Sequence, residues 1–309
     1  MFKKAIVTGS EGFIGGHLTD ALLANGVQVL GVDDMSSGLQ STYEQHIKSP
    51  HYTGKQISIT DSRINSIFKD FKPDVVFHLA AKSGVTPSVL NPTFSDFTNI
   101  NGSVNLLEAA KDSGVKRFVF SSSSSIYGGS ENLPTSESEP PNPKSPYALQ
   151  KLVVEKYCKL FSDLYGLEAI SLRYFNIFGP RQRSNSAYAA VIAAFADAEK
   201  RGMQPKIFGT GEQFRDFCYV KNAVEANILA ANAPNKLSGE VVNIGCGGRI
   251  TVNNLRKFIC SKDPIYEVER PGDVFSSQAD ISAAKKLIGY SPGWTFERGL
   301  KETIDWYLG

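Results

Sequence analysis

The chain has 309 residues, 41% of them hydrophobic and 21% charged, with a formal net charge of +2. That suits a soluble α/β core with a smaller appended lobe, and it argues against a nucleic-acid or membrane-surface partner. No apolar run approaches the roughly 18 residues of a bilayer span. The N-terminus runs straight into Ala5-Ile6-Val7 with no signal-peptide layout, so a cytoplasmic protein is expected.

Strand and helix signals alternate from the start. Ile6-Val7 leads through Gly9, Gly12 and Gly15 into a helix with Ile14, Leu18 and Leu22 at four-residue spacing, closed by Asn25-Gly26. Residues 27–32 form the next strand, ending at Asp33. Ile57-Ser58-Ile59 predicts a third strand and residues 75–79 a fourth. A long helix is expected from about 94 to 113, stopped by Gly114. Residues 117–120 read as a buried strand. Residues 128–146, with five prolines, read as an ordered loop or lid, because a strand precedes them and a helix follows. That helix runs from Tyr147 to Gly166, and residues 169–172 make the sixth strand. The alternation predicts a doubly wound parallel sheet of Rossmann type.

Beyond it, helical patterns near 187–201, 221–232, 251–260 and 296–307 alternate with loops such as Phe208-Gly209-Thr210-Gly211 and Arg270-Pro271-Gly272-Asp273. A smaller mixed lobe is expected to close over the carboxyl ends of the strands. The expected division is a dinucleotide-binding domain over 1–175, completed by part of 216–246, and a substrate lobe mainly over 176–309. Cys158, Cys218, Cys246 and Cys260 are scattered, and the histidines lack metal-ligand spacing. Reduced thiols and no metal site are expected. His78, at the end of an apolar strand, reads as structural.

Three glycines after a strand and before an amphipathic helix let backbone amides approach a pyrophosphate at the helix N-terminus. Asp33 lies 18 residues after Gly15. A carboxylate there accepts both adenosine-ribose hydroxyls and repels a 2′-phosphate, favouring NAD over NADP. Ala80-Ala81-Lys82-Ser83 follow the fourth strand and should pass beneath the pyrophosphate and nicotinamide. Asn99 reads equally as a brace for these loops or as a helix-surface polar residue.

Tyr147 and Lys151 stand one helical turn apart on one face. A free phenol ionises near pH 10; lowering that to about 7 takes about 4 kcal/mol, which the ammonium and an oxidised nicotinamide are expected to supply. A hydroxyl donor is available in Ser121-Ser122-Ser123-Ser124-Ser125. The buried strand before it delivers these serines to the sheet's carboxyl edge, which argues against a flexible linker.

Thr8-Gly9…Gly12…Gly15, the serines ending in Ile126-Tyr127-Gly128, Tyr147…Lys151 and the run from Arg173 to Arg181 (Arg-Tyr-Phe-Asn-Ile-Phe-Gly-Pro-Arg) together resemble the extended short-chain dehydrogenase/reductase family. Within it the chain is most similar to the UDP-hexose 4-epimerases, from residue 3 to about 305. Counting back from Tyr127-Gly128, the resemblance places the catalytic serine at Ser123, with Ser122 the alternative. It implies cofactor contacts at Phe13, Ile14, Ser58, Ile59, Ala80, Ala81, Ser83, Asn99, Ser121 and Tyr174, beside the glycines, Asp33, Tyr147 and Lys151. Ser58 departs from the pattern, since an Asp often reaches the adenine amine there.

For a UDP-sugar, the resemblance implies Asn176, Arg215 and Arg270 on the diphosphate, Phe208 against uracil and Asp273 on the ribose. Ser277, with Ser83 and Gly84, would line the sugar pocket, and a small residue at 277 resembles enzymes that accept N-acetylated sugars. The implied reaction is NAD-dependent inversion of carbon 4, on UDP-GlcNAc/UDP-GalNAc with UDP-Glc/UDP-Gal also accepted. The helices near Asn99 and Tyr147 imply a homodimer. Ser124-Ser125-Ile126 replaces the acids of dehydratases and decarboxylases. A UDP-glucuronate 4-epimerase or decarboxylase, a net oxidoreductase and a non-catalytic NAD sensor are the competing readings.

Overall fold

The computed structural model describes residues 2–183, 191–269 and 275–309. The first half is built from β1 (Lys4–Thr8), α1 (Phe13–Ala24), β2 (Gln28–Val32), α2 (Gln40–His46), β3 (Tyr52–Lys55), α3 (Ile64–Phe71), β4 (Val75–His78), α4 (Val85–Leu90) and α5 (Pro92–Asp96). A π-helical turn (Phe97–Asn101), α6 (Gly102–Asp112), β5 (Arg117–Ser123), a 3-10 turn (Ser124–Tyr127), α7 (Pro146–Tyr165), β6 (Glu168–Tyr174) and β7 (Ile177–Phe178) follow. The rest comprises α8 (Val191–Lys200), β8 (Lys206–Phe208), β9 (Phe214–Arg215), β10 (Cys218–Tyr219), α9 (Val220–Ala231), β11 (Glu240–Ile244), β12 (Ile250–Thr251), α10 (Val252–Ile259), β13 (Ile265–Glu267), α11 (Ser282–Ile288) and α12 (Phe296–Leu308).

Seven strands form one sheet in the order β3-β2-β1-β4-β5-β6-β11, all paired in parallel. The strand order reverses between β1 and β4, and ligands of such sheets bind outside the carboxyl ends at that point. Apolar runs with little alternation, such as Val75–Phe77 and Phe118–Phe120, are buried on both faces. Leu18, Leu22, Ala223 and Ala230 cover one face, from α1 and α9. Phe68, Leu106, Leu107 and Val154 cover the other, from α3, α6 and α7. The second lobe has its own core of Phe178, Phe195, Tyr219 and Leu255. Its strands pair two by two, β7 with β10, β8 with β13 and β9 with β12.

The third strand lies at residues 52–55 rather than 57–59. Ile57, Ser58 and Ile59 form the loop after it, and Ile59 turns inward against Gly102. The helix expected over 94–113 is three consecutive segments, with the π-helical turn in the middle. Such turns insert a residue and redirect side chains. Within the pattern at 187–201, α8 covers Val191–Lys200, and residues 187–190 lie outside the described residues. The 128–146 segment carries no helix or strand of its own before Pro146. Backbone bonds tie it down, from Asn142 N to Ile126 O (2.9 Å) and from Thr135 N to Gln278 O (2.8 Å).

A charged cluster lies buried beside the first glycine turn. Glu11 accepts hydrogen bonds from the Ser10 (3.0 Å) and Tyr52 hydroxyls and pairs with His46 Nδ1 (3.0 Å). His46 Nε2 meets Asp20 Oδ1 (3.2 Å), and Asp20 Oδ2 meets Arg181 (2.8 Å). Burial opposes the charge on His46, but the two carboxylates prevail and lift its pKa from 6.5 to about 9. A pKa raised in the folded state means that the proton stabilises the fold. This contribution is complete below about pH 6.5 and is lost as pH rises through about 9, on the order of 3 kcal/mol in all. Denaturant titrations should therefore show wild-type stability falling between about pH 7 and about pH 10, with a clearly shallower fall in His46→Gln. Parallel curves would remove His46 from the account.

Candidate active site

The glycine turn is built for an anion. Gly9 adopts φ +73°, and a Cβ there would press on Ala80 N at 2.9 Å. A Cβ at Gly15 would collide with the Gly9 carbonyl. Gly12 caps α1 with no side-chain acceptor, and the first turn holds no acidic residue. The amides of Phe13, Ile14 and Gly15 are thus left for a ligand at the positive end of the helix dipole. Asp33, 8% exposed, takes the Glu11 amide (2.9 Å) and the Met35 amide (2.8 Å). Burial raises its carboxyl pKa and those two amides oppose the rise.

One cleft at this edge is lined by Gly9, Gly12, Phe13, Ile14, Gly15, Asp33, Ser58, Ile59, Ala80, Ala81, Ser83, Ser121, Tyr147, Lys151 and Tyr174. Every cofactor residue named from the sequence is among them except Asn99. Asn99 sits behind the cleft, in the π-helical turn. Its Oδ1 accepts from Lys82 N (2.8 Å), and its Nδ2 donates to Lys82 O (3.1 Å) and Gln150 Oε1 (2.8 Å). It therefore braces the loop after β4. The cleft suits an extended dinucleotide, with acceptor-free amides at the middle and a carboxylate at the ribose end. Lys82, expected from the sequence to pass beneath the pyrophosphate with its neighbours, lines it too. So do Asp34, Ser36, Thr98 and Gln182, which sequence reasoning did not assign, since none belongs to a spaced motif.

The reactive end lies where α7 meets β5. Ser145 caps α7 by accepting the Ala148 amide (3.2 Å), and Pro146 starts the helix. The Tyr147 amide is held by Ser88 Oγ (3.0 Å). Ser123 stands beside the Tyr147 hydroxyl and lowers its pKa against the rise from burial, while Ser123 Oγ accepts from Ser125 N (3.2 Å) and Ser125 Oγ (2.9 Å). Lys151 is 4% exposed; its ammonium donates to Ser121 O (2.7 Å) and stands 5.8 Å from the Tyr147 ring centre. Ser122 also lines the cleft, but its hydroxyl is committed to Glu155 Oε1 (2.6 Å), which favours Ser123 as the phenol's partner. Glu155 is also clamped by Arg173, at 2.9 and 2.7 Å. It stands one turn beyond Lys151, and the same four-residue spacing that paired Tyr147 with Lys151 could have found it.

The expected lowering of the phenol requires two positive charges, the ammonium and an oxidised nicotinamide, and the polypeptide by itself does not produce it. Burial pushes Tyr147 up to about 12, with only Ser123 opposing. Burial likewise pushes the Lys151 ammonium down to about 8, opposed chiefly by Glu155. The protein alone favours a neutral phenol, because desolvation outweighs the contact with Ser123. His78, fully buried between Thr8 and Ser103 at 2.8 Å each, is pushed down to about 3 and stays neutral.

On the second lobe, Asn176 sits in the left-handed region (φ +35°) and donates to Ser277 Oγ (2.9 Å). Arg215 donates to Phe275 O (2.7 Å), and Ser277 N to Phe214 O (3.2 Å). Asn176, Arg215 and Ser277 are thus brought together, whereas Phe208 ends β8 opposite Glu267 of β13. Arg270 and Asp273 lie outside the described residues. Ser83 lines the dinucleotide cleft, and Gly84 (φ +105°) precedes α4. Asp216, missed from the sequence, accepts the amides of Cys246, Gly247 and Ala279 at 2.9 to 3.0 Å and ties these loops together.

A parallel sheet with this strand order, a dinucleotide cleft and a Tyr-Lys pair beside it define a nicotinamide-dependent enzyme class. Residues 5–245 match the model of the NAD dependent epimerase/dehydratase family. The chain is 35% identical over 310 residues to the UDP-glucose 4-epimerase of Mycolicibacterium smegmatis, covering 98% of each chain. It superposes on the UDP-N-acetylglucosamine 4-epimerase of Methanobrevibacter ruminantium M1, a complex with UDP-N-acetylmuramic acid, with TM-score 0.94 and 42% identity, covering 99% of this chain and 98% of that one. The UDP-glucose 4-epimerase of Thermotoga maritima with UDP-glucose gives TM-score 0.93 and 40% identity, covering 98% of each. The chain belongs to the NAD-dependent epimerase/dehydratase family, among the extended short-chain dehydrogenases/reductases, and its cofactor is NAD.

The two serines separate cleanly in their expected effects. Ser123→Ala should lower kcat about 100-fold or more with a small change in substrate KM, as for a lost proton-transfer partner. Ser122→Ala should instead lower Tm, by leaving Glu155 short of a donor. The reverse pattern would move the catalytic position to Ser122.

Proposed function

We propose that the protein inverts carbon 4 of a UDP-sugar through a 4-keto intermediate, interconverting UDP-GlcNAc and UDP-GalNAc and also turning over UDP-Glc and UDP-Gal. The observation that carries this reading is the Tyr147–Lys151 pair lining the dinucleotide cleft, with Ser123 beside the Tyr147 hydroxyl. NAD supplies the hydride acceptor and donor at carbon 4, together with a positive charge when oxidised. Tyr147 takes the proton of the sugar 4-hydroxyl, and the Ser123 hydroxyl holds the phenolic oxygen and passes the proton. Lys151, anchored on Ser121 O, adds positive potential to the phenolate. For inversion the ketone turns over and receives hydrogen on its other face, with Tyr147 returning the proton.

That turn requires a firm hold on UDP and a loose one on the sugar. Asn176, Arg215 and Arg270 serve as the diphosphate grip, Phe208 as the uracil platform and Asp273 as the ribose acceptor. Two arginines on a diphosphate make a charge-assisted clamp. Residues 1–175, with a stretch from 216–246, hold NAD, and 176–309 mainly hold the nucleotide sugar. Pairing of β11 with β6 supports this interleaving. A second copy is proposed to dock on α5 and α7. Phe94 of α5 and Phe97 of the following π-helical turn stand exposed, and Leu149, Leu160 and Leu164 run along α7. Light scattering should report a dimer that Leu160→Asp weakens; a wild-type monomer would contradict the pairing. No helix among the described residues is long and apolar enough to cross a membrane, which fits the proposed cytoplasmic location.

Ser277, small and half-buried beside Asn176, supports acceptance of the N-acetyl group. Turnover should be followed by chromatography on UDP-Glc, UDP-GlcNAc, UDP-GlcA and UDP-xylose. The first two should epimerise without net NADH. Ser277→Tyr should abolish UDP-GlcNAc turnover while sparing UDP-Glc, and Ser277→Ala should retain both. Equal loss of both substrates in Ser277→Tyr would refute the gate, and preferred turnover of UDP-GlcA would replace the substrate.

A further inference from the structure

The loops after β2 and β4 are joined across the cofactor cleft. The Lys82 ammonium donates to Asp34 Oδ2 (2.8 Å) and Ser36 Oγ (2.6 Å). Lys82 follows β4, and Asp34 and Ser36 follow β2. β1 lies between those strands in the sheet, and its carboxyl end opens into the glycine turn. The bridge therefore spans two strand spacings, about 10 Å, over the switch point where a pyrophosphate would lie. All three residues line the same cleft as the glycines.

The two ends of the bridge differ in rigidity. Asn99 pins the Lys82 backbone on both sides, at 2.8 and 3.1 Å. The Lys82 tip lies 5.4 Å from the Phe94 ring centre and is joined only through side-chain contacts. The side chains of Lys82 and Asp34 are 20% and 32% exposed. An ion pair at that exposure breaks and reforms readily and weakens in salt. It is anchored at one root and releasable at the other.

We propose that the Lys82–Asp34/Ser36 bridge is a cofactor latch. It opens to admit NAD and closes across the cleft behind it, and Lys82 is a positioning residue that slows cofactor release. The proposal rests on the epimerase reading, in which the cofactor ends each cycle unchanged and has no need to leave. A latch acts on the dissociation rate, where most differences in affinity between related complexes arise.

The test is exchange of bound NAD against isotopically labelled NAD, followed by mass spectrometry with no sugar present. Lys82→Met should speed exchange about tenfold, the loss of one charged hydrogen-bonded contact. Added salt should speed exchange in the wild type and do little in Lys82→Met. The exchanged pair Asp34→Lys with Lys82→Asp should return the rate to within about threefold of wild type. Wild-type exchange in Lys82→Met, or a swapped pair no slower than Lys82→Met, would overturn the latch. A wild-type protein that binds no NAD would overturn the epimerase reading itself, and this is seen before any variant is compared.

Discussion

The site depends on two ionisable groups held dry against the carboxyl end of β5. Dehydration favours the uncharged form of each. Tyr147 rises to about 12 and Lys151 falls to about 8 in the protein alone. Proton abstraction requires the reverse, a charged phenolate beside a charged ammonium. The polypeptide thus supplies position and a low dielectric, and the missing positive charge is the one an oxidised nicotinamide carries. Ionisation of the phenol is then coupled to the redox state of the cofactor. In the proposed reaction Tyr147 is ionised, and so open to a proton, while the nicotinamide is oxidised, and it is protonated, with a proton to return, once the ring is reduced.

Behind the pair, charge is balanced by a second layer. Glu155 lies one turn past Lys151 and supports its ammonium. Arg173 neutralises Glu155, and its guanidinium stacks 4.8 Å from the Tyr127 ring centre. Tyr127 in turn donates to Asn243 of β11 (2.7 Å). Removing one partner of such a buried pair leaves an uncompensated charge. The face of α7 that carries Tyr147, Lys151 and Glu155 is therefore tied through β6 to a strand more than 80 residues beyond Glu155. That strand closes the edge of the sheet and leads into the loops that Asp216 gathers.

Local chemistry made part of this legible in the sequence. The glycine turn, the cap at Ser145-Pro146 and the one-turn spacing of Tyr147 and Lys151 are each written in a few adjacent residues. So was the alternation of strands and helices that predicts the parallel sheet. Short amphipathic helices such as α2, α3 and α11 carry too few turns for their periodicity to stand out, and β3 holds Gly54 where a β-branched residue would mark a strand. The π-helical turn around Asn99 has no sequence period of its own. Lys82 and Asp34 are 48 residues apart, and Asn176 and Ser277 are 101 apart. Contacts of that kind arise from the strand order, and only the folded chain places them side by side.

The central claim concerns the ionisation of one phenol, and a direct titration tests it. Phenolate absorbance should be followed against pH for the wild type and Tyr147→Phe, each with NAD bound and after its removal, and the difference assigned to Tyr147. The account predicts a Tyr147 pKa near 12 without the cofactor and several units lower, close to neutrality, with oxidised NAD bound. The same value in both forms would contradict it.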